Sequence, residues 1–296
     1  MTTQEIHNFG NTYILSDNEI EKFETLTGLF EEEEKHILSL KKEYALEVRE
    51  DLLILFVQMY LLRFAIPYFQ ITHNKFPDGS DFTFLKKVLY FCLVGRLIDD
   101  LVDADSKMFK TYESILMYQK YYFRLIEILS EREKEKFDNY LLESTKYSSP
   151  ILETELQFEI ISNDVLNRIK YFFCLAELID TSNSLKFKND QIAAVSDIRY
   201  ESKSLLIKKY VGILLGGLDV NDLIADGYKK KSSTVVSNYV YNKFYNEEGK
   251  LLLDKTLLSF YDSMKKIFES EAEKLIAHCN TNSLHYTANI LKSIQR

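Results

Sequence analysis

The sequence predicts an all-α fold, a single domain of roughly ten to twelve helices spanning residues 1–296. Three observations carry that prediction. Helix breakers are scarce, with 3 Pro and 9 Gly in 296 residues, and these are the residues that cost a helix interior most. Apolar residues recur at helical spacing along most of the chain, with no long strand-type alternation and no internal repeat. No linker is long enough to separate two domains, and a hydrophobic content of 46% is ample for one large core.

In chain order, residues 1–16 read as irregular, and Ser16-Asp17 followed by Glu19 is a helix-start signal. Asn18 to Leu40 is amphipathic, with Glu31–Glu34 as an acidic, solvated edge. Glu43 to Phe69 is helical and very apolar from Leu52 onward, and Pro67 marks a kink or an end. HNKFPDGS, residues 73–80, is the clearest loop. Phe82 to Asp103 is the next helix, followed by a break over Ser106–Lys110 and a helix from Tyr112 to Leu129. Ser130-Glu131-Arg132-Glu133 has the form of a capping box and opens a helix to about Glu143. Pro150 stands near a further helix start, and Asn163-Asp164 is the expected start of the helix that carries Arg168 and Lys170. Residues 181–190 form a polar linker, after which a helical pattern runs from Asp190 through Leu215. Three more helices are expected at about 233–245, 250–278 and 283–295.

Charge and cysteine usage narrow the function. A net charge of −8 argues against nucleic acid as a partner, because phosphate-backbone binding needs a basic face. Cys92, Cys174 and Cys279 are isolated, without zinc or redox spacing, and read as reduced thiols of a cytoplasmic protein. The N-terminus lacks the basic start and apolar run of a signal peptide. The longest apolar runs, such as Leu52–Met59, are too short to span a bilayer, so no integral membrane segment is expected. The 20 Tyr and 20 Phe imply an aromatic-rich interior; Phe56, Tyr60, Phe64, Tyr90, Phe91 and Tyr171–Phe173 are candidates for a cavity lining, though at helical spacing plain core explains most of them.

Two acid clusters stand out. In VLYFCLVGRLIDDLVDAD, an apolar helix runs into Asp99, Asp100, Asp103 and Asp105. Asp99 with Asp103 and Asp100 with Asp103 are neighbours on a helix surface, where like charges oppose the helix by roughly 0.2–0.5 kcal/mol per pair. Such a cluster is either solvated or neutralised by a cation. In GGLDVNDLIADGYKKK, Asp219, Asp222 and Asp226 share a helix face, and Gly227 suits the position just past a helix end. Lys229, Lys230 and Lys231 suit a helix C-terminus, whereas acids there oppose the helix dipole. Neither cluster has the glycine and glutamate of an EF-hand loop. Carboxylates projecting from two helices suit Mg²⁺ ions whose remaining positions hold water and phosphate oxygens.

Asp99-Asp100-Leu101-Val102-Asp103 matches the DDxxD motif of the class I isoprenoid (terpenoid) synthase superfamily, and Asn221 to Asp226 resembles its second metal motif. The resemblance implies a helical bundle around a central cavity, a prenyl diphosphate substrate and three Mg²⁺ ions. Those ions help ionise the diphosphate to an allylic carbocation that an apolar, aromatic cavity then holds. By motif match Asp99, Asp100 and Asp103 are the expected catalytic residues. Asp99 and Asp103 would be metal ligands, and Asp100 would point to a neighbouring cation. Asn221 and Asp222 would serve from the second helix. In the cyclase form of that motif a Ser and a Glu follow; here their places hold Ala225 and Lys229, so Asp226 is the candidate replacement ligand. Lys229–Lys231 resemble the basic residue that touches diphosphate in prenyltransferases. Arg168 is a further diphosphate candidate, with Lys170, Arg199 and Lys203 of similar standing.

Chain-elongating relatives carry a Gly-Gly-Lys segment upstream and an Arg-Arg pair after the first motif. Here neither stands near Asp99, where only Lys107 and Lys110 follow. The resemblance therefore favours a single-substrate terpene synthase over a chain-elongating or head-to-head prenyltransferase. A non-catalytic helical protein that binds a prenyl diphosphate or a partner chain is the reading from another class. A homodimer is one assembly open to such a chain.

Overall fold

In a computed structural model the protein is mostly helical. The structure describes residues 3–8, 11–44, 61–87, 89–90, 93–94, 111–146, 149, 152, 155–168, 203–225, 234–246, 250–252 and 254–294. Met1–Asp138 with Cys174–Asn183 form one compact unit, and Asn139–Phe173 with Ser184–Arg296 form another. The sequence suggests one domain, and the chain groups into these two compact units.

The first unit opens with a correction. Residues 1–16, expected to be irregular, hold an antiparallel hairpin of β1 (Thr3–Asn8) and β2 (Asn11–Ser16), paired from Thr3 with Ser16 to Asn8 with Asn11. Its alternation is too short and too polar to stand out in the sequence, and pairing satisfies the backbone groups instead. Leu15 of β2 is buried.

Helix α1 (Asp17–Tyr44) starts where the sequence signalled. The Ser16 backbone N–H and hydroxyl both donate to Glu19 Oε2 at 2.9 Å, and the Glu19 N–H donates to Ser16 Oγ at 3.4 Å, a reciprocal capping box. Leu26 and Phe30 turn the apolar stripe of α1 into the core. A π turn, Leu61–Ala65, then leads directly into α2 (Ile66–His73). Pro67 neither ends nor isolates this helix. Proline lacks an amide and crowds the carbonyl four residues back; that residue, Arg63, lies in the π turn, where the usual ladder is already broken. Asn74, at φ 52°, closes α2 in the left-handed conformation. Asp78 and Asp81 cap the following 3₁₀ turn, Gly79–Asp81, and Lys75 pairs with Asp81 at 2.7 Å. Residues 82–87, 89–90 and 93–94 are helical. Next comes α3 (Thr111–Ile128), with Met117, Tyr121 and Leu125 buried. In α4 (Glu131–Thr145) the expected capping box is present: the Ser130 N–H donates to Glu133 Oε2 at 2.6 Å, and the Glu133 N–H donates to Ser130 Oγ at 3.4 Å.

The second unit is built on α5 (Phe158–Arg168), a helical run from residue 203 to 225, and three helices at the C-terminal end. Helix α5 begins before the Asn163-Asp164 start expected from sequence. Asp164 lies inside it, buried, and accepts from Ser149 Oγ at 2.6 Å and from the Val235 backbone N–H at 3.1 Å. Its carboxylate thus satisfies an open amide at the start of α8 (Val235–Phe244) rather than of its own helix. The run 203–225 consists of α6 (Lys203–Val211), a π turn (Gly212–Gly216) and α7 (Gly217–Ala225). Helices α9 (Asp254–Thr281) and α10 (His285–Ile294) pack together as an antiparallel-type pair joined by a short turn at Asn282–Leu284. Val235, Val240, Leu257, Leu275, Tyr286 and Ile290 are core residues of this unit.

Candidate functional site

Of the residues singled out by sequence, Asp99, Asp100, Asp103, Asp226, Lys229, Lys230 and Lys231 lie outside the described residues. Arg168 is the last residue of α5 and Asp222 lies in α7; both are placed by their backbone. Asn221 is placed with its side chain, as is Asp219 earlier in the same helix. Asn221 is exposed on α7 and lines a groove of about 140 Å³.

Helices α7 and α9 form most of that groove. Ile213, Val220, Phe268, Ala272 and Ile294 supply apolar walls, and Gly217 leaves space beside them. Asn221, Asp262, Lys265 and Glu269 supply the polar rim. Asp262, Lys265 and Glu269 share one face of α9 because three- and four-residue steps align on a helix. The Lys265 ammonium stands 3.9 Å from Glu269, both well exposed, so this pair contributes little by itself. Apolar walls with a few convergent polar groups are a lining that small-ligand sites share. The oxygen donors at its rim are of the kind Mg²⁺ takes, but among the described residues no cluster of three or more His, Cys, Asp or Glu is placed to hold a metal ion. Sequence reasoning did not single out Asp262, Lys265 and Glu269. Their only sequence signal is the spacing, which an ordinary solvated helix edge shares.

The second unit also holds a buried charge. Lys209 of α6 has no exposed surface, and its ammonium donates to Glu271 Oε2 at 3.0 Å. Lys274 donates to the other carboxylate oxygen at 2.5 Å. Burial pushes the Glu271 carboxyl up, but hydrogen bonds from Lys274 and Lys209 outweigh it and hold the group below the usual carboxylate range.

In the first unit a second polar cluster anchors the helical residues that lead in sequence to Asp99. The Tyr90 hydroxyl donates to Glu33 Oε2 at 2.8 Å, and the Lys86 ammonium pairs with Glu33 Oε1. Lys87 donates to both oxygens of Glu133, at 3.2 and 3.1 Å, tying this segment to the start of α4. Burial, then the Glu33 carboxylate, pushes the Tyr90 phenol well above its ordinary value. Tyr121 packs edge-on against Tyr90 at 6.2 Å, and its buried hydroxyl has no hydrogen-bond partner. Tyr90 is therefore core, as helical spacing suggested.

No protein-family model, no curated protein and no solved structure matches the chain. No helix among the described residues is long and apolar enough to cross a membrane.

Proposed function

We propose that the chain is a magnesium-dependent class I terpene synthase, which ionises a prenyl diphosphate, releases pyrophosphate, and cyclises or quenches the resulting allylic cation. The observation that carries this reading is the pair of acidic motifs, Asp99-Asp100-Leu101-Val102-Asp103 and Asn221 to Asp226, in a mostly helical chain. The exposed Asn221 beside an apolar groove supports it.

Asp99, Asp103, Asn221, Asp222 and Asp226 would hold the metal ions, a hard oxygen donor set that fits Mg²⁺. When bound, such ions neutralise diphosphate oxygens and favour departure of pyrophosphate. Lys229, Lys230, Lys231 and Arg168 would add fixed positive charge toward the diphosphate, and Asp100 would orient a neighbouring cation. Apolar and aromatic side chains would exclude water from the carbocation and face it with ring electrons.

The test is incubation with geranyl, farnesyl and geranylgeranyl diphosphates and Mg²⁺. Pyrophosphate together with a hydrocarbon or alcohol is expected, and Asp99→Ala should abolish the turnover. Release only after isopentenyl diphosphate or another prenyl acceptor is added would replace the synthase by a prenyltransferase. Absence of turnover in every mixture would sink both enzymatic readings and favour a binding protein.

A further inference from the structure

We propose that the π turn Gly212–Gly216, gripped between Ser162 and Phe268, is the positioning device that aims Asn221 into the groove between α7 and α9. This rests on the reading of Asn221 as part of the second metal motif. A π turn takes one residue more than an α turn, so everything beyond it is set back by about 100° around the helix axis relative to an uninterrupted α-helix. In an uninterrupted helix the direction now taken by Asn221 would fall to Val220, and the Asn221 amide would leave the polar rim that it shares with Asp262, Lys265 and Glu269.

The grip is visible at both ends of the turn. A Cβ on Gly212 would overlap Ser162 Oγ and lie 2.8 Å from Ser162 Cβ. A Cβ on Gly216 would lie 2.9 Å from Ile161 Cγ2 and 3.1 Å from Phe268 Cε1. The two glycines thus let α5 on one side and α9 on the other close onto the turn. Ser162 is completely buried and its hydroxyl has no hydrogen-bond partner. A buried hydroxyl without a partner is unfavourable for stability, so its place against Gly212 is not explained by polar satisfaction; a side chain of that size is what the crossing admits. A mid-helix π turn is itself a feature that recurs beside functional sites.

The experiment measures the distance between nitroxides at positions 221 and 255 by pulsed electron resonance, in a chain whose own cysteines are replaced by alanine. Pyrophosphate release is measured separately on the unlabelled chain. Gly212→Ala should shift the distance distribution and lower turnover by about a hundredfold, as misplacement of a positioning group by an ångström can. Adding Ser162→Gly, which clears both short contacts, should restore distance and turnover together. An unchanged distance in Gly212→Ala, or no restoration in the double variant, overturns the proposal. Should Gly212→Ala fail to fold, Gly216→Ala decides: its added methyl meets Ile161 and Phe268 at the other end of the turn, so an unchanged distance overturns the proposal. If the unaltered chain releases no pyrophosphate, the synthase reading fails, while the distance measurement still judges the turn.

Discussion

Each unit buries a charged pair, and the two are built the opposite way round. In the first unit the carboxylate of Glu33 is the buried partner, 8% exposed, and it is shared between the Tyr90 hydroxyl and Lys86, whose side chain is 19% exposed. In the second, the cation is sealed in: Lys209 is 0% exposed, and Glu271, 15% exposed, reaches out to Lys274. The difference decides what happens when a partner is lost. Lys86 can turn its ammonium to water along a flexible stem. Lys209 has no such route, and a buried charge that loses its salt-bridge partner is costly to the fold.

The largest effect is therefore expected at Glu271. Glu271→Ala should lower unfolding free energy by about 3–5 kcal/mol in urea titrations. Glu33→Ala, which removes one partner of the Tyr90 hydroxyl and frees a lysine that can reach solvent, should cost about 1–3 kcal/mol. The reverse ranking would break the comparison.

Acid sharpens it further. The folded-state value of Glu271 lies below its unfolded value of about 4.5. The stability it contributes is thus fully present above that pH and is lost as pH falls through the depressed folded value. Urea titrations of the unaltered chain and of Glu271→Ala should accordingly converge in acid, and a constant gap down to the unfolding limit would refute the assignment.

The smallest effect is expected at Tyr121, whose hydroxyl is buried without a partner. Tyr121→Phe should be neutral or stabilising by up to about 1 kcal/mol, read as a small rise in melting temperature. A clear loss instead would mean that an ordered water links this hydroxyl to its surroundings.

What could be read from the sequence follows the range of the interactions involved. The capping boxes at Ser16–Glu19 and Ser130–Glu133 are complete within four residues, and both helix starts were legible. The loop over residues 73–80 and the helices near 235–244, 254–281 and 285–294 were legible for the same reason. The hairpin was not. Phe9 and Gly10 between its strands lack the Asn-Gly or Asp-Gly signal, and Thr3–Asn8 has Ile6 as its one strongly apolar residue. Asp164 looked like a local cap, but it serves Val235, far along the chain.

The π turns depend on packing partners rather than on their own residues, so periodicity alone does not show them. At the candidate site, the acid-rich motifs are matters of residue type and spacing and could be read directly. The groove beside Asn221 could not, because Asp262, Lys265 and Glu269 look like any charged helix face until α7 is laid against them.

Cys279 closes the long helix α9 from within, fully buried, and that burial pushes its thiol up to about 12. Only the thiolate attacks a disulfide reagent, so at neutral pH this sulfur is silent for as long as the helix stays packed. Its labelling rate is then a clock for the opening of the second unit. In a chain with Cys92 and Cys174 replaced by alanine, slow labelling that tracks added urea would report the stability of this unit separately from that of the unit carrying the hairpin.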